Sequence, residues 1–159
     1  VISRIHGTLV VRDLDRVEIM TQGGVGYELH IPRTVYEQLP QVGREVTMRT
    51  FQVIREDAHL LFGFLDDVER QVFSRLLTAS GVGPRLALSL LSSLPAGRLV
   101  RAIRERDITA LTAVTGVGRK TAERLALDLA NKLDDVAVPV GAAGQGAGVE
   151  EALRALTVL

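Results

Sequence analysis

The 159 residues are 47% hydrophobic and include no cysteine, so the chain is long enough for one or two buried cores and holds no disulfide, thiolate zinc site or cysteine nucleophile. No apolar run approaches the ~20 residues needed to cross a bilayer, and the N-terminus lacks a basic-then-apolar leader pattern, which predicts a cytoplasmic protein with no membrane partner. Formal net charge is zero but unevenly spread: 7 − 8 = −1 over residues 1–65, 11 − 7 = +4 over 66–133 and 1 − 4 = −3 over 134–159.

The first 65 residues read as strands joined by tight turns. "RIHGTLVVRD", "RVEIMTQ", "GYELHIP", "EVTMRTFQVI" and "HLLFGF" are short and rich in β-branched residues, and several alternate apolar with polar. The stretch "QGGVGYE" supplies a glycine-rich turn, and "PRTVYEQLP" predicts a short helix ended by Pro40. Five strands with a helix in the third connection suit an oligonucleotide-binding (OB) type barrel, although strand number alone also allows other small barrels. After Phe64 the period changes to that of helices. In "DDVERQVFSRLL", Val68, Val72, Phe73, Leu76 and Leu77 share a face, with Asp66 and Asp67 as caps. Pro84 opens "PRLALSLLSSL", Pro95 opens "PAGRLVRAIRER", and Asp107 caps "DITALTAV". The last long helix is predicted over 119–133, with Ala122, Leu125, Ala126 and Leu129 on one face. Residues 134–148 include the Gly/Ala-rich "VAVPVGAAGQGAG" and read as a linker. Residues 149–159 form a short amphipathic series with Val149, Leu153 and Leu156 on a face, which needs a partner to be stable. The start at Val1 and an end within a periodic pattern predict a piece of a longer gene product.

The basic middle region contains a repeat. "SGVGPRLALSLL" and "TGVGRKTAERLALDL" place Gly-Val-Gly at 81–83 and 116–118, 116 − 81 = 35 residues apart, each followed at once by a helix with cations on its first turn. Glycine allows positive φ and leaves no Cβ in the way of a ligand. A helix start adds unsatisfied N–H groups and a positive dipole end, so each copy has the makings of a phosphate site. Arg119, Lys120, Thr121 and Arg124 add donors to the second copy and Arg85 to the first. The bland alternative is a tight turn between helices with a solvated cationic face; two matched copies in the basic region favour DNA held by its backbone without sequence reading. "GRKT" is not a nucleotide-binding P-loop, because Arg119 stands where that motif needs glycine before the lysine and Val114 stands where it needs another. His6, His30 and His59 are dispersed, so neither a metal nor a cofactor is expected.

"GVGPRLALSLL" and "GVGRKTAERLALDL" resemble tandem helix-hairpin-helix motifs, and "GGVGYELHIP" and "REDAHLLFGF" before them resemble the barrel of the RuvA family, the Holliday-junction-binding subunits of the bacterial branch-migration complex. The likeness runs from about residue 2 to 133. It implies an α+β multi-domain chain: a five-stranded OB-type barrel over 1–65, an all-α tandem helix-hairpin-helix domain over 66–133, a flexible linker over 134–148, and over 149–159 the first helix of a small third domain that binds the RuvB ATPase motor, here through Leu153 and Leu156. It further implies that amides at Gly81, Val82, Gly83, Gly116, Val117 and Gly118 bind phosphates with Arg85, Arg119, Lys120, Thr121 and Arg124. Family members carry lysine at several of these places, and arginine keeps the charge while altering the grip. The expected protein is non-catalytic. It forms a homotetramer, or two of these paired into an octamer, that holds a four-way junction open and square for branch migration in recombination, repair and the response to DNA damage. Glu56 and Asp57, in "REDAH", have three readings: an ordinary turn, a carboxylate pair for Mg²⁺-dependent phosphodiester cleavage, or the family's acidic pin at the junction centre, where like charge keeps phosphates away. The residue types match the pin.

Overall fold

A computed structural model describes residues 1–138. Five strands form a closed barrel in the spatial order β1-β2-β3-β5-β4: β1 (Arg4–Arg12), β2 (Arg16–Met20), β3 (Gly26–His30), β4 (Glu45–Ile54) and β5 (His59–Phe64). Closure needs β1 to serve two partners. Its first half pairs with β4, from Arg4↔Arg49 to Thr8↔Glu45, and its second half pairs with β2, from Thr8↔Met20 to Arg12↔Val17. A bulge at Val10 adds the bend this requires. Where the strand turns between partners stands Gly7, and any side chain there would collide with the Met20 carbonyl. The single parallel pairing, His30↔Phe62 between β3 and β5, seals the barrel. Inward-facing Leu9, Val17, Ile19, Leu29 and Met48 fill it, alternating with more exposed neighbours as a half-buried strand does. Helix α1 (Arg33–Tyr36) lies in the third connection, so strand order and helix position both give the OB-type barrel expected from the sequence.

The helices follow as α2 (Asp67–Leu76), α3 (Pro84–Ser93), α4 (Ala96–Arg104), α5 (Ile108–Thr112) and α6 (Arg119–Leu129). Asp66 caps α2 by accepting from Glu69 N–H at 2.7 Å, and Asp107 caps α5 by accepting from Ala110 N–H at 3.1 Å. Val72, Phe73 and Leu76 of α2, Leu90 and Leu91 of α3, Leu99 and Ile103 of α4, and Leu125 and Leu129 of α6 make one core. No single helix among the described residues is long and apolar enough to cross a membrane.

Two boundaries differ from those expected. Helix α6 ends at Leu129 rather than continuing to 133, and residues 131–135 turn back. The cause is tertiary: Leu133 and Val136 are buried, while Arg75 Nη1 donates to Lys132 O at 2.7 Å and Arg104 Nη2 donates to Leu133 O, capturing carbonyls near the helix end. For the same reason residues 134–138 are not linker-like. Val136 is in the core, Asp135 pairs with Arg75 at 2.7 Å, and Val138 packs beside Gly97. The remainder of the expected linker and the short terminal helix with Leu153 and Leu156 lie outside the described residues.

Candidate nucleic-acid interface

The two glycines of each repeat do different things. Val82 N–H donates to Ala79 O at 3.2 Å and Val117 N–H to Val114 O at 3.1 Å, closing four-residue turns in which Gly81 and Gly116 occupy the third position. Their φ angles are 80° and 89°, the left-handed value that a type II turn requires there and that side chains disfavour. The second glycines, Gly83 and Gly118, have extended backbones with φ of −94° and −85° and form the N-caps of α3 and α6. A Cβ at either would touch nothing within 4 Å among the described residues, so what glycine provides there is an open approach to the main chain.

This geometry revises the donor set. The amides of Val82 and Val117 are engaged inside the turns and their side chains are 7% and 5% exposed, so both valines plug the core and neither offers a free N–H. The amides of Gly81, Gly83, Gly116 and Gly118 have no acceptor among the described residues. Beyond them the first helical bonds are Ala87 N–H to Gly83 O at 3.0 Å and Ala122 N–H to Gly118 O at 2.9 Å, so the earlier amides of α3 and α6 lack helical partners, and no side chain caps either helix. Pro84 removes one donor from the first site. Aspartate side chains cap the starts of α2 and α5, whereas among the described residues no side chain caps α3, α4 or α6.

Around these amides Arg85, Arg119, Lys120 and Arg124 are exposed and Thr121 is half-buried. Arg119 is already paired with Glu123 at 3.1 Å, whereas Arg85, Lys120 and Arg124 have no ion pair among the described residues. The second site therefore carries more free charge than the first. Several other cations of the basic region do structural work instead. Arg70 Nε donates to Thr50 O at 2.6 Å, and Arg75 and Arg104 fasten residues 132–135.

Glu56 and Asp57 are exposed at the tip of the β4–β5 hairpin, which Arg55 N–H closes by donating to Ala58 O at 2.8 Å. Neither acid is in an ion pair among the described residues, and no three His, Asp or Glu side chains converge there in a metal-holding group. Ile54, 65% exposed, and Arg55 accompany them at the tip; in sequence Ile54 reads as an ordinary strand end, and Arg55 as part of the turn.

The repeat geometry has its counterpart in known families. Residues 2–63 match the RuvA N terminal domain, and residues 73–131 match the SAM-like helix-hairpin-helix tandem. A Gemmatimonas aurantiaca protein named Holliday junction branch migration complex subunit RuvA is 51% identical over 99% of this chain and 81% of its own length. This chain belongs to the RuvA family. Relatives of the same name from Laribacter hongkongensis and Pseudomonas putida are 44% and 48% identical over 97% and 82% of the chain, which spans 78% and 63% of their respective lengths. In this RuvA-family chain the acidic tip falls inside the first matched segment and both glycine turns inside the second.

Proposed function

We propose that this RuvA-family chain is a non-catalytic DNA-binding subunit that recognises four-way junctions and holds them open for branch migration. The observation that carries the reading is the pair of uncapped helix starts behind Gly-Val-Gly turns, 35 residues apart in sequence (116 − 81), each with open glycine amides and exposed cations. Two phosphates of one duplex arm sit at these two positions. Amides and dipole supply fixed partial charge, and Arg85, Lys120 and Arg124 supply full charge, so binding ignores sequence and weakens steeply with salt. Glu56 and Asp57 project from the barrel as an acidic point that repels phosphates and keeps paired strands from closing over the crossover. A homotetramer, or two of them paired, presents four copies of this surface to four arms, since cyclic symmetry of the protein then matches that of the ligand. The motor is a RuvB-type ATPase engaged through the third domain, for which Leu153 and Leu156 are the proposed contacts. The place of action is the cytoplasm.

The deciding measurement is a gel shift comparing a four-way junction with linear duplex of equal length. Tighter junction binding supports the reading, and equal binding overturns it. Two rivals have their own tests. A nuclease acting through Glu56 and Asp57 would cut labelled junction in Mg²⁺ and lose that activity in Glu56→Ala. A single-strand-binding barrel needs exposed aromatic faces for stacking. Phe62, Phe64 and Phe73 are buried and Tyr36 lies under the Arg12 guanidinium at 4.4 Å, which weighs against it.

A further inference from the structure

Each glycine turn is fastened to the helix that follows the other one. Ser80, immediately before Gly81, donates its N–H to Asp128 Oδ2 on α6 at 3.2 Å. In the opposite sense Ser89 Oγ on α3 donates to the carbonyl of Thr115, immediately before Gly116, at 3.1 Å. Ser80 and Thr115 are equivalent positions of the repeat, 115 − 80 = 35. Leu86 of α3 also reaches the second turn, where a Cβ at Gly116 would stand 3.6 Å from its Cδ1. A serine within a helix ordinarily bonds a carbonyl one turn back on its own helix; Ser89 bonds across to the other copy instead.

We propose that Ser89 and Asp128 are positioning residues that lock the two turns at one separation, so that both grip phosphates of the same duplex arm together. The inference rests on the phosphate-site reading above. Once one turn holds its phosphate, engagement of the other is intramolecular, and its effective concentration depends on how stiffly the two are joined. Loosening the join lowers affinity while leaving every phosphate-contacting group in place. The slope of affinity against salt, which counts neutralised phosphates, then stays constant.

The chain has no cysteine, so nitroxide labels can be placed at Thr78→Cys and Ala113→Cys, exposed and equivalent sites beside the two turns (113 − 78 = 35). Pulsed spin-resonance distances are measured in this background, and linear-duplex and junction affinities over a salt series without labels. With Ser89→Ala the distance distribution should broaden and affinity fall about fivefold, the worth of one ordinary hydrogen bond, with an unchanged salt slope. Ser89→Thr should restore both. Asp128→Ala is compared with Asp128→Asn, because both remove the charge and only the asparagine keeps an acceptor for Ser80; the alanine should be broader and weaker than the asparagine. Lys120→Ala separates the two ideas. If Lys120→Ala weakens binding while the Ser89 and Asp128 variants keep narrow distances and full affinity, the positioning role is overturned and the phosphate sites stand. If Lys120→Ala also leaves affinity unchanged, the phosphate reading falls and this proposal with it.

Discussion

At the scale of single residues, Gly118 separates stability from binding. Its backbone is extended, no described residue occupies its side-chain space, and it caps a helix without supplying a side-chain acceptor. Gly118→Ser would let the new hydroxyl accept from the first-turn amides, stabilising the helix by about a few tenths of a kcal/mol, while occupying the donors a phosphate needs. The expected outcome is a higher melting temperature with weaker junction binding, and a rise in both would contradict the amide site. Gly116→Ala behaves differently. At φ 89° any side chain is strained, so about 1–2 kcal/mol of stability is lost whatever happens to DNA. Lys120→Ala removes one full charge from the more cationic site. It should lower affinity for all sequences alike and reduce the salt slope by about 1, read from a titration series. The repeat, its glycines and its cations were legible in the sequence. Which glycine needs positive φ and which needs bare space was not, because that division depends on where the turn's hydrogen bond closes. Nor was it legible that Val82 and Val117 face inward, or that Arg119 is paired with Glu123 while Lys120 is free.

At the scale of elements, the start of α2 joins barrel to helices and carries a buried acid. Glu69 lies on the covered side of the first turn, where burial and the neighbouring Asp66 carboxylate raise its pKa from 4.5 to about 7. In the unfolded chain it titrates near its ordinary value, so between about pH 4.5 and 7 the folded state binds the extra proton. Stability from this group is fully present below that window and is lost as pH rises through it, a change on the order of 3 kcal/mol. Glu69→Gln, neutral throughout, should flatten that part of the profile in urea unfolding at pH 5, 6, 7 and 8. A wild-type and variant pair with parallel profiles would show that Glu69 is ionised in the fold. Asp66 as the cap was legible from its place before an apolar period, as were the strands and most helix starts. The burial of Glu69 was not, since the first turn of a helix usually presents its acids to water. The end of α6 escaped for a related reason: the residues after Leu129 keep helical spacing, and only the guanidinium groups of Arg75 and Arg104, distant in sequence, draw their carbonyls aside.

At the scale of the whole molecule, the question is how an acidic point on a barrel is held in place relative to the proposed phosphate sites on a helical domain. The chain's four phenylalanines answer it, because Phe73 of α2 packs against Phe51, Phe62 and Phe64 with ring centroids 5.5, 4.9 and 5.0 Å apart. Polar ties surround this cluster: Arg49 with Asp67 at 3.0 Å, Arg70 with Thr50 O, and on the far side Arg33 N–H to Ser92 Oγ at 2.9 Å and Thr34 Oγ1 to Leu91 O at 3.0 Å. β4, which carries the acidic tip, is thus fixed to α2, and α1 to the end of α3, whose other end is the first proposed phosphate site. Sequence reading divided the chain near residue 65 and gave each part its class, but local patterns say nothing about strand order within a barrel or about which side chains span two domains. Phe73→Ala tests whether the two parts form one cooperative unit. Removing a fully buried ring costs about 3–5 kcal/mol, a large share of a typical folding free energy of 5–15 kcal/mol. Both tyrosines, Tyr27 and Tyr36, belong to the barrel half, so their fluorescence follows the barrel while far-ultraviolet ellipticity follows the helices. In urea the two signals should share one midpoint in the parent protein and move together to a lower one in Phe73→Ala. A tyrosine transition that stays in place while the helical one shifts would mean that the aromatic contact does not couple the domains, and the spacing between pin and phosphate sites would then need another support.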